Sequence, residues 1–183
     1  NDLKLFDFER AAKMAGGSFP MYLDKGARLE WALINYFISE HTKDGYQMVM
    51  PPHMLNEQSG VTAGQLPKFK EDVYWVQDGN FMLPTAESAL ANIYRGETLA
   101  EEDLPKKFFA YTPCYRREAG SYRANERGLM RMHQFNKVEM FQYTLPQYSE
   151  VALEELLNRA TKLVEDLGLH YRVTKLAAAD CSA

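Results

Sequence analysis

The chain has 183 residues, of which 46% are apolar and 25% charged, and its formal net charge is −4. These values are typical of one soluble globular domain, and they exclude a surface that binds nucleic acid over its whole extent. Because no apolar run reaches the ~18 residues of a membrane span and residues 1–9 do not resemble a signal peptide, we expect a cytoplasmic protein with no membrane contact.

The charge is reversed locally, between residues 116 and 137. Six basic residues against two acidic ones give this stretch a charge of +4: Arg116, Arg117, Arg123, Arg127, Arg131 and Lys137 against Glu118 and Glu126. A basic segment in an acidic chain predicts a focused anion site, for a nucleotide, an RNA backbone or both.

The two cysteines predict no metal or redox site. Cys114 and Cys181 are not arranged as CxxC, and no histidine lies at a zinc-ligand spacing from them. We therefore expect free, buried thiols in a reducing compartment.

The first predicted elements are a helix over residues 26–42 and a short strand over 46–50. The helix carries two apolar stripes: Ala27, Trp31, Ile34 and Ile38 on one side, and Leu29, Leu33, Tyr36 and Phe37 on the other. A helix that is apolar on two sides is buried on two sides, either in a central core or against a partner subunit. The strand ends at Pro51-Pro52, because proline cannot donate to a sheet ladder.

The middle of the chain predicts a hairpin followed by a helix. Residues 73–77 and 80–83 flank Asp78-Gly79, a strong two-residue turn signal. Residues 84–90 then open a helix, with Thr85 as a plausible N-cap and Glu87 in the first turn. An acidic loop follows at 101–105.

The second half predicts two long strands, a helix and a last strand. Strands over 108–118 and 129–141 form a long-looped antiparallel hairpin, since the segment between them contains glycine, serine and asparagine. A helix begins at Ser149 and ends at Gly168, its C-cap, and residues 171–176 form a strand. This order predicts an α+β fold, an antiparallel sheet flanked by helices. No Rossmann or P-loop fingerprint is present.

The two long strands carry the chemistry, because successive side chains of a strand point to opposite faces. One face of the second strand collects Arg131, His133, Phe135, Lys137 and Glu139, and the other is an ordinary core face of Met130, Met132, Val138 and Met140 with Gln134 and Asn136. If the hairpin pairs as predicted, Thr112, Cys114, Arg116 and Glu118 of the first strand extend the charged face.

Each residue type on that face suits a ligand with a phosphate, a ring and an ammonium group. Arg116 offers a rigid fork of donors for a phosphate and a carboxylate oxygen. Phe135 offers a flat surface for a purine, and Arg131 either stacks over the purine or meets the phosphates. Glu139 and Glu87 offer acceptors for an ammonium. The patterning equally allows a cross-strand network of Arg116 with Glu118, a core role for Phe135 and a structural hydrogen bond for His133.

Five motifs in order give the sequence a family resemblance. Residues 112–121 (TPCYRREAGS), followed by 127–131 (RGLMR) and 133–139 (HQFNKVE), resemble motif 2 of the seryl-tRNA synthetases, which are class II aminoacyl-tRNA synthetases. The other motifs resemble motif 1 and two segments of the serine enzymes: 45–52 (GYQMVMPP), 64–69 (GQLPKF) and 83–87 (LPTAE). Motif 1 and its preceding helix form the dimer interface in that family, so the resemblance implies a homodimer through residues 26–52.

The resemblance also implies a reaction and its residues. Serine would attack ATP, with Mg²⁺ bound, to give seryl-adenylate, and serine would then pass to tRNA(Ser). The serine site would comprise Thr85, Ala86, Glu87, Arg116 and Glu139, and the ATP site Arg116, Arg117, Glu118, Arg131, Met132, His133, Gln134 and Phe135. Arg116 would act as the catalytic residue by bridging the α-phosphate and the serine carboxylate, and the loop 119–127 would approach the tRNA acceptor end.

The chain also departs from the family. The family's N-terminal tRNA-binding arm and motif 3 are absent from residues 1–183, and the acidic residues that hold magnesium would follow Ala183. We therefore expect a partial class II catalytic domain, inactive alone. The sequence of the loop from Ser121 to Arg127 also departs from the Gly-(Lys/Arg)-Asp-Thr that usually precedes the Arg-Gly pair in the family. The rival interpretations are an amino-acid:carrier-protein ligase of the same fold and a non-catalytic module for RNA binding or dimerisation.

Overall fold

The computed structural model describes residues 3–118 and 129–178. Its helices are α1 (Phe8–Ala15), α2 (Lys25–Lys43), α3 (Glu57–Thr62), α4 (Glu87–Leu90) and α5 (Ser149–Asp166), and its strands are β1 (Gln47–Met48), β2 (Met54–Leu55), β3 (Phe81–Met82), β4 (Lys106–Tyr115) and β5 (Gln134–Tyr143). Among these residues no helix is both long and apolar enough to cross a membrane.

The α+β architecture centres on the predicted hairpin of β4 and β5. These strands pair antiparallel over ten residues each, with Cys114 opposite Phe135 and Thr112 opposite Lys137. The prediction of a long-looped hairpin is thus confirmed, although β5 begins five residues later than expected. Strand β1 joins the free edge of β4 in parallel, which makes the three-stranded sheet mixed. Its position at the edge agrees with the prolines that follow it.

The two faces of this sheet are covered by different helices. Side chains from α4 and the sheet form one apolar cluster, which contains Ala86, Leu90, Phe108 and Ala110. On the opposite face lies α2, where the His41 ring is 5.5 Å from the fully buried Phe109 ring. The hairpin is therefore the middle layer of the described structure.

Helix α2 confirms the helix predicted over 26–42, and its first turn packs closely against the backbone of Leu5. A Cβ on Gly26 would lie 2.2 Å from the backbone oxygen of Leu5, so only glycine permits this approach. Ile34 is buried, whereas Leu29 and Trp31 are more than half exposed. Within one chain, α2 is therefore not a fully buried central helix.

The hairpin predicted around Asp78-Gly79 is confirmed. Val76 and Asn80 are joined by a backbone hydrogen bond of 2.9 Å, and Gly79 takes a φ of +85° that favours glycine. Only Phe81–Met82 forms a regular strand, because it pairs with β2 on its other side. Together with Leu55, Leu66, Val73 and Leu83, Phe81 builds a second apolar cluster that reaches Cys114.

Three predictions need correction or completion. Thr85 is not the N-cap of its helix: α4 begins at Glu87 after Ala86, and the Thr85 hydroxyl is 3.4 Å from the Glu87 amide. The strand expected over 171–176 does not form, since these residues are exposed and have no regular secondary structure. Helices α1 and α3 lacked a predicted counterpart. The C-terminal helix is confirmed as α5, with Gly168 at a φ of +66° just beyond it.

Candidate active site

Three side chains on the α4 face of the hairpin form a closed triangle of hydrogen bonds. The Thr85 hydroxyl donates to Glu139 Oε2 over 2.9 Å, and Lys137 Nζ donates to Thr85 Oγ1 over 2.7 Å. Lys137 also pairs with the same Glu139 oxygen. Thr85 is buried, and both β5 side chains are about one quarter exposed, at 30% for Lys137 and 24% for Glu139. We call Thr85, Lys137 and Glu139 the triad.

Glu87 lies beside the triad as a second, desolvated carboxylate. Burial raises the pKa of the Glu87 carboxyl, and the neighbouring Glu139 carboxylate raises it further, while Lys137 and Arg116 oppose the shift. Two carboxylates near two cations can accept an ammonium on one side and a carboxylate on the other. Sequence reasoning placed Thr85, Glu87 and Glu139 in one site, and the structure brings them together.

Arg116 connects the triad region with a second cleft. Its Nε donates to the carbonyl of Pro84 over 3.1 Å, and its guanidinium carbon lies 5.1 Å from the centre of the Phe135 ring. The Pro84 carbonyl and the Phe135 ring hold the guanidinium group of Arg116 in place, so that its remaining N–H donors are pre-oriented for a ligand.

The second cleft, beyond Arg116, is a cavity of about 470 Å³. It is lined by Tyr22, Glu30, Arg116, Glu118, Leu129, Met130, Arg131, Met132, Phe135 and Asn136. Its volume lies within the range of small-molecule sites, and its lining includes two aromatic side chains and two arginines. Five of the residues predicted to bind ATP, counting Arg116, therefore share one cavity.

Glu118 and Arg131 pair across this cavity. Arg131 Nη1 lies 2.7 Å from Glu118 Oε2, and Glu118 takes a φ of +55°, in the left-handed region that a non-glycine residue rarely adopts. Such outliers persist where the surrounding structure holds them, and they cluster at functional sites. The sequence allowed a salt bridge between Arg116 and Glu118. In the structure Glu118 forms its salt bridge with Arg131.

Other predicted site residues lie at the margins. Arg117 is exposed over the Tyr74 ring, with 5.7 Å from its guanidinium carbon to the ring centre, and Gln134 is exposed at the start of β5. His133 Nδ1 donates to the carbonyl of Arg116 over 3.0 Å, which favours the structural role considered for this histidine. Ala86 is fully buried in the α4 cluster beneath the triad.

Phe135 combines the two roles that the sequence left open. Its side chain packs on the buried cluster that contains Cys114, and the guanidinium group of Arg116 lies near its ring. Cys114 is a buried free thiol, as expected, and burial raises the pKa of this thiol. Cys181 and the loop 119–127, which was predicted to approach tRNA, lie outside the described residues.

Sequence reasoning assigned no site role to several residues of the two clefts, among them Lys137, Tyr22 and Glu30. Lys137 was placed on the charged face by alternation but was not assigned a role in binding. Tyr22 and Glu30 reach the cavity from before and within α2, and Glu30 accepts a 3.1 Å hydrogen bond from Asn136. No local pattern points to Tyr22 or Glu30, because only the fold brings them near β5.

Comparison with known proteins places this geometry in a family. Residues 74–183 match the tRNA synthetase class II core domain (G, H, P, S and T). The chain is 61% identical to serine–tRNA ligase 2 of Clostridium acetobutylicum and 50% identical to serine–tRNA ligase of Petrotoga mobilis, in each case over 98% of this chain. It spans 44% and 43% of the lengths of those two proteins.

Solved structures agree with the sequence relatives. The crystal structure of seryl-tRNA synthetase from Pyrococcus horikoshii complexed with ATP matches with a TM-score of 0.84 and 35% identity, covering 88% of this chain and 36% of that one. The cytoplasmic serine–tRNA ligase of Naegleria fowleri in complex with AMP matches with the same TM-score and 27% identity, over 89% and 39%. The predicted fold class and family resemblance are thereby confirmed. Because the family match covers more than half of its residues, the chain belongs to the class II tRNA synthetase core-domain family and is similar within it to the seryl-tRNA synthetases.

Proposed function

We propose that the full-length protein containing this chain is a serine–tRNA ligase. The observation that carries the proposal is the position of Arg116, held between the Pro84 carbonyl and the Phe135 ring where the triad region meets the 470 Å³ cavity. A guanidinium at this boundary can bind a carboxylate on one side and a phosphate on the other. The curated relatives are serine–tRNA ligases, and one matching structure holds ATP.

In this proposal the serine carboxylate attacks the α-phosphate of ATP. The new bond joins a carboxylate oxygen to the α-phosphorus, the bond to the β-phosphate oxygen breaks, and pyrophosphate leaves. Glu139, Thr85 and Glu87 bind the serine ammonium, with Ala86 beneath them. Arg116 aligns the reacting groups and stabilises the charge that grows on the phosphate oxygens. Serine then passes from the adenylate to the 3′ end of tRNA(Ser).

The cavity is the proposed site of ATP. Phe135 would support the adenine ring, while Glu118, Arg131 and Met132 line the same space. Arg117, His133 and Gln134 remain proposed ATP contacts from the family resemblance. Within residues 3–118 and 129–178, no group of three or more His, Cys, Asp or Glu side chains could hold a metal ion. The acidic ligands of Mg²⁺ are proposed, from the family resemblance, to follow Ala183 in the full-length protein.

A homodimer through the 26–52 segment is part of the proposal. This segment exposes four large apolar side chains, those of Leu29, Trp31, Met48 and Met50, and Met50 is 86% exposed. A concentration of exposed apolar residues on one helix-strand unit is typical of a subunit interface. We also propose a cytoplasmic location, where the tRNA substrate is charged.

Serine-dependent exchange of pyrophosphate into ATP by the full-length protein tests the activity. We expect exchange with serine and at least ~10⁴-fold less with alanine, because a site built to bond a hydroxyl is left with unpaired polar groups by alanine. A second assay offers tRNA(Ser) and a carrier protein as competing acceptors of the activated serine. Transfer to tRNA(Ser) supports the proposed ligase, and transfer to the carrier protein supports the alternative amino-acid:carrier-protein ligase. Exchange that is indifferent to serine would refute the proposal.

A further inference from the structure

The ammonium group of Lys137 occupies the position in the triad that the ammonium group of serine is proposed to take. Lys137 Nζ contacts both Glu139 and Thr85, and these are two of the groups proposed to receive the serine ammonium. The Thr85 hydroxyl accepts from Lys137 and donates to Glu139, so the three groups satisfy one another without a ligand. A second ammonium cannot share these contacts with Lys137, since like charges repel in a partly desolvated site.

The charges around Glu87 explain why a cation is kept there. The groups that act on Glu87 are Glu139 and Lys137 from β5 and Arg116 from the end of β4, while the nearby Cys114 thiol is kept neutral because burial raises its pKa. With Lys137 present, two carboxylates face two cations. Without it, two carboxylates would share one guanidinium, and one of them would tend to take up a proton.

We propose that Lys137 is a positioning residue of the amino-acid pocket, a built-in ammonium that holds Thr85 and Glu139 in the receiving geometry and yields those contacts to the substrate's ammonium. This role rests on the proposed function. The flexible four-carbon stem of lysine allows the side chain to withdraw while β5 stays in place. The Lys137 side chain is 30% exposed, so part of it already faces solvent, into which it can move.

A purely structural ion pair would behave differently when its charge is removed. Replacing such a pair would change serine and ATP kinetics by a factor that does not depend on pH. Without the charge of Lys137, Glu87 and Glu139 lie close together and the pKa of one of the two carboxyl groups rises. That carboxyl group is then protonated at low pH and no longer accepts a hydrogen bond from the serine ammonium. The pH profile therefore distinguishes the two roles.

The test compares Lys137→Met, Lys137→Gln and Lys137→Arg with the parent full-length enzyme, by serine-dependent pyrophosphate exchange. For the two neutral variants we expect KM for serine to rise about tenfold between ~pH 8 and ~pH 6, against less than about threefold for the parent and for Lys137→Arg. KM for ATP should follow the parent in all variants.

Lys107→Met is the matched control. Lys107 lies on the opposite face of the same hairpin, where its Nζ pairs with Glu155 over 2.7 Å, and its loss should leave the serine pH profile unchanged. Parallel profiles for the parent and both neutral variants would overturn the role of Lys137 while leaving the proposed function intact. A Lys137→Arg profile that follows the neutral variants would overturn it too. Absence of serine-dependent exchange in the parent would overturn the proposed function, and this role with it.

Discussion

The two faces of the β4–β5 hairpin are built from the same strands but are used differently. On the α4 face, the fully buried small residues Ala110, Thr112 and Cys114 stand opposite Glu139, Lys137 and Phe135. On the α2 face, Phe109 stands opposite Met140 and Tyr111 opposite Val138, as in an ordinary core. Small residues on β4 make room for charged partners on one face, while large apolar pairs on the other stabilise the strands.

This difference implies that the faces separate function from stability. Charges that are partly removed from water cost free energy, and apolar packing on the opposite face offsets that cost. Substitutions of the charged side chains on the α4 face should therefore mainly change catalysis, whereas substitutions of the large apolar side chains on the α2 face should mainly change the free energy of unfolding. The following substitutions test this separation.

Arg116→Ala should give the largest effect. By comparison with the loss of one oxyanion donor, we expect the rate of adenylate formation in the full-length protein to fall by about 10²–10³ or more. Arg116→Lys should recover little, because lysine lacks the planar fork that spans two oxygens. Single-turnover formation of seryl-adenylate is the measurement.

Arg159→Ala is the control for that substitution. Arg159 pairs with Asp44 and Glu155 on the α2 side, away from the triad and the cavity. It should lower the stability slightly and leave the adenylation rate near that of the parent. Equal rates for Arg116→Ala and Arg159→Ala would contradict the separation of the two faces.

Phe135→Leu and Phe109→Leu form a matched pair on opposite faces. Loss of ring stacking at Phe135 should raise KM for ATP about tenfold or more, since stacking on an aromatic ring contributes ~1–3 kcal/mol per base. Phe109→Leu should leave KM for ATP unchanged and lower the free energy of unfolding by about 1–2 kcal/mol. Steady-state kinetics and urea unfolding measure the two effects, and a change in ATP affinity from Phe109→Leu would argue against independent faces.

Glu87→Gln should separate stability from function within the α4 face. Burial and the Glu139 carboxylate raise the pKa of Glu87 above its ordinary 4.5. A raised carboxyl pKa stabilises the fold below the unfolded pKa, and this contribution is lost as pH rises through the folded value. At neutral pH the ionised group is therefore unfavourable, and glutamine should stabilise the chain by about 0.5–2 kcal/mol.

The same substitution should weaken serine binding. Glutamine cannot provide the charged acceptor that the substrate's ammonium is proposed to need, so KM for serine should rise at least about tenfold. Urea unfolding near neutral pH and pyrophosphate exchange measure the two changes. A variant that is destabilised at neutral pH, or that binds serine normally, would contradict the interpretation.

Local patterns in the sequence predicted the paired parts of β4 and β5 and their faces, but not residues 129–133: Met130, expected on the core face, is 81% exposed and lines the cavity beside Arg131. Alternation alone placed Phe135, Lys137 and Glu139 together, and the hairpin register confirms it. Contacts between distant segments could not be read in this way: the bond from Thr85 to Glu139 joins residues 54 positions apart. The family resemblance supplied that pairing, because no periodicity specifies which loop covers a strand face.

The sequence-based predictions of secondary structure failed for two segments, residues 171–176 and the start of α4. Residues 171–176 have strand-like composition, yet they are exposed and pair with no strand among the described residues. The Thr85 hydroxyl accepts only a long, 3.4 Å hydrogen bond from the Glu87 amide, while it makes shorter hydrogen bonds with Glu139 and Lys137. The two errors have one physical cause, namely that local propensity is overridden by the contacts available in the fold.

His41→Phe tests the α2 face and should have the smallest effect. His41 is 2% exposed, and its Nδ1 has no hydrogen-bond partner among the described residues. Burial lowers the pKa of this imidazole below its ordinary 6.5. The folded chain thus binds a proton less readily than the unfolded one, so stability is full above about pH 6.5 and is lost as pH falls below it.

Phenylalanine should remove this dependence while keeping the ring contact with Phe109. We expect the free energy of unfolding to change by less than about 1 kcal/mol at neutral pH, with a shallower decline than the parent between ~pH 6.5 and ~pH 5. Urea unfolding across this range is the measurement, and His53→Phe, at an exposed histidine, is the control. If the parent and His41→Phe declined in parallel, His41 would not be the source of the acid sensitivity, and Glu155, whose carboxyl pKa is lowered by the hydrogen bond from Lys107, would be the next group to replace.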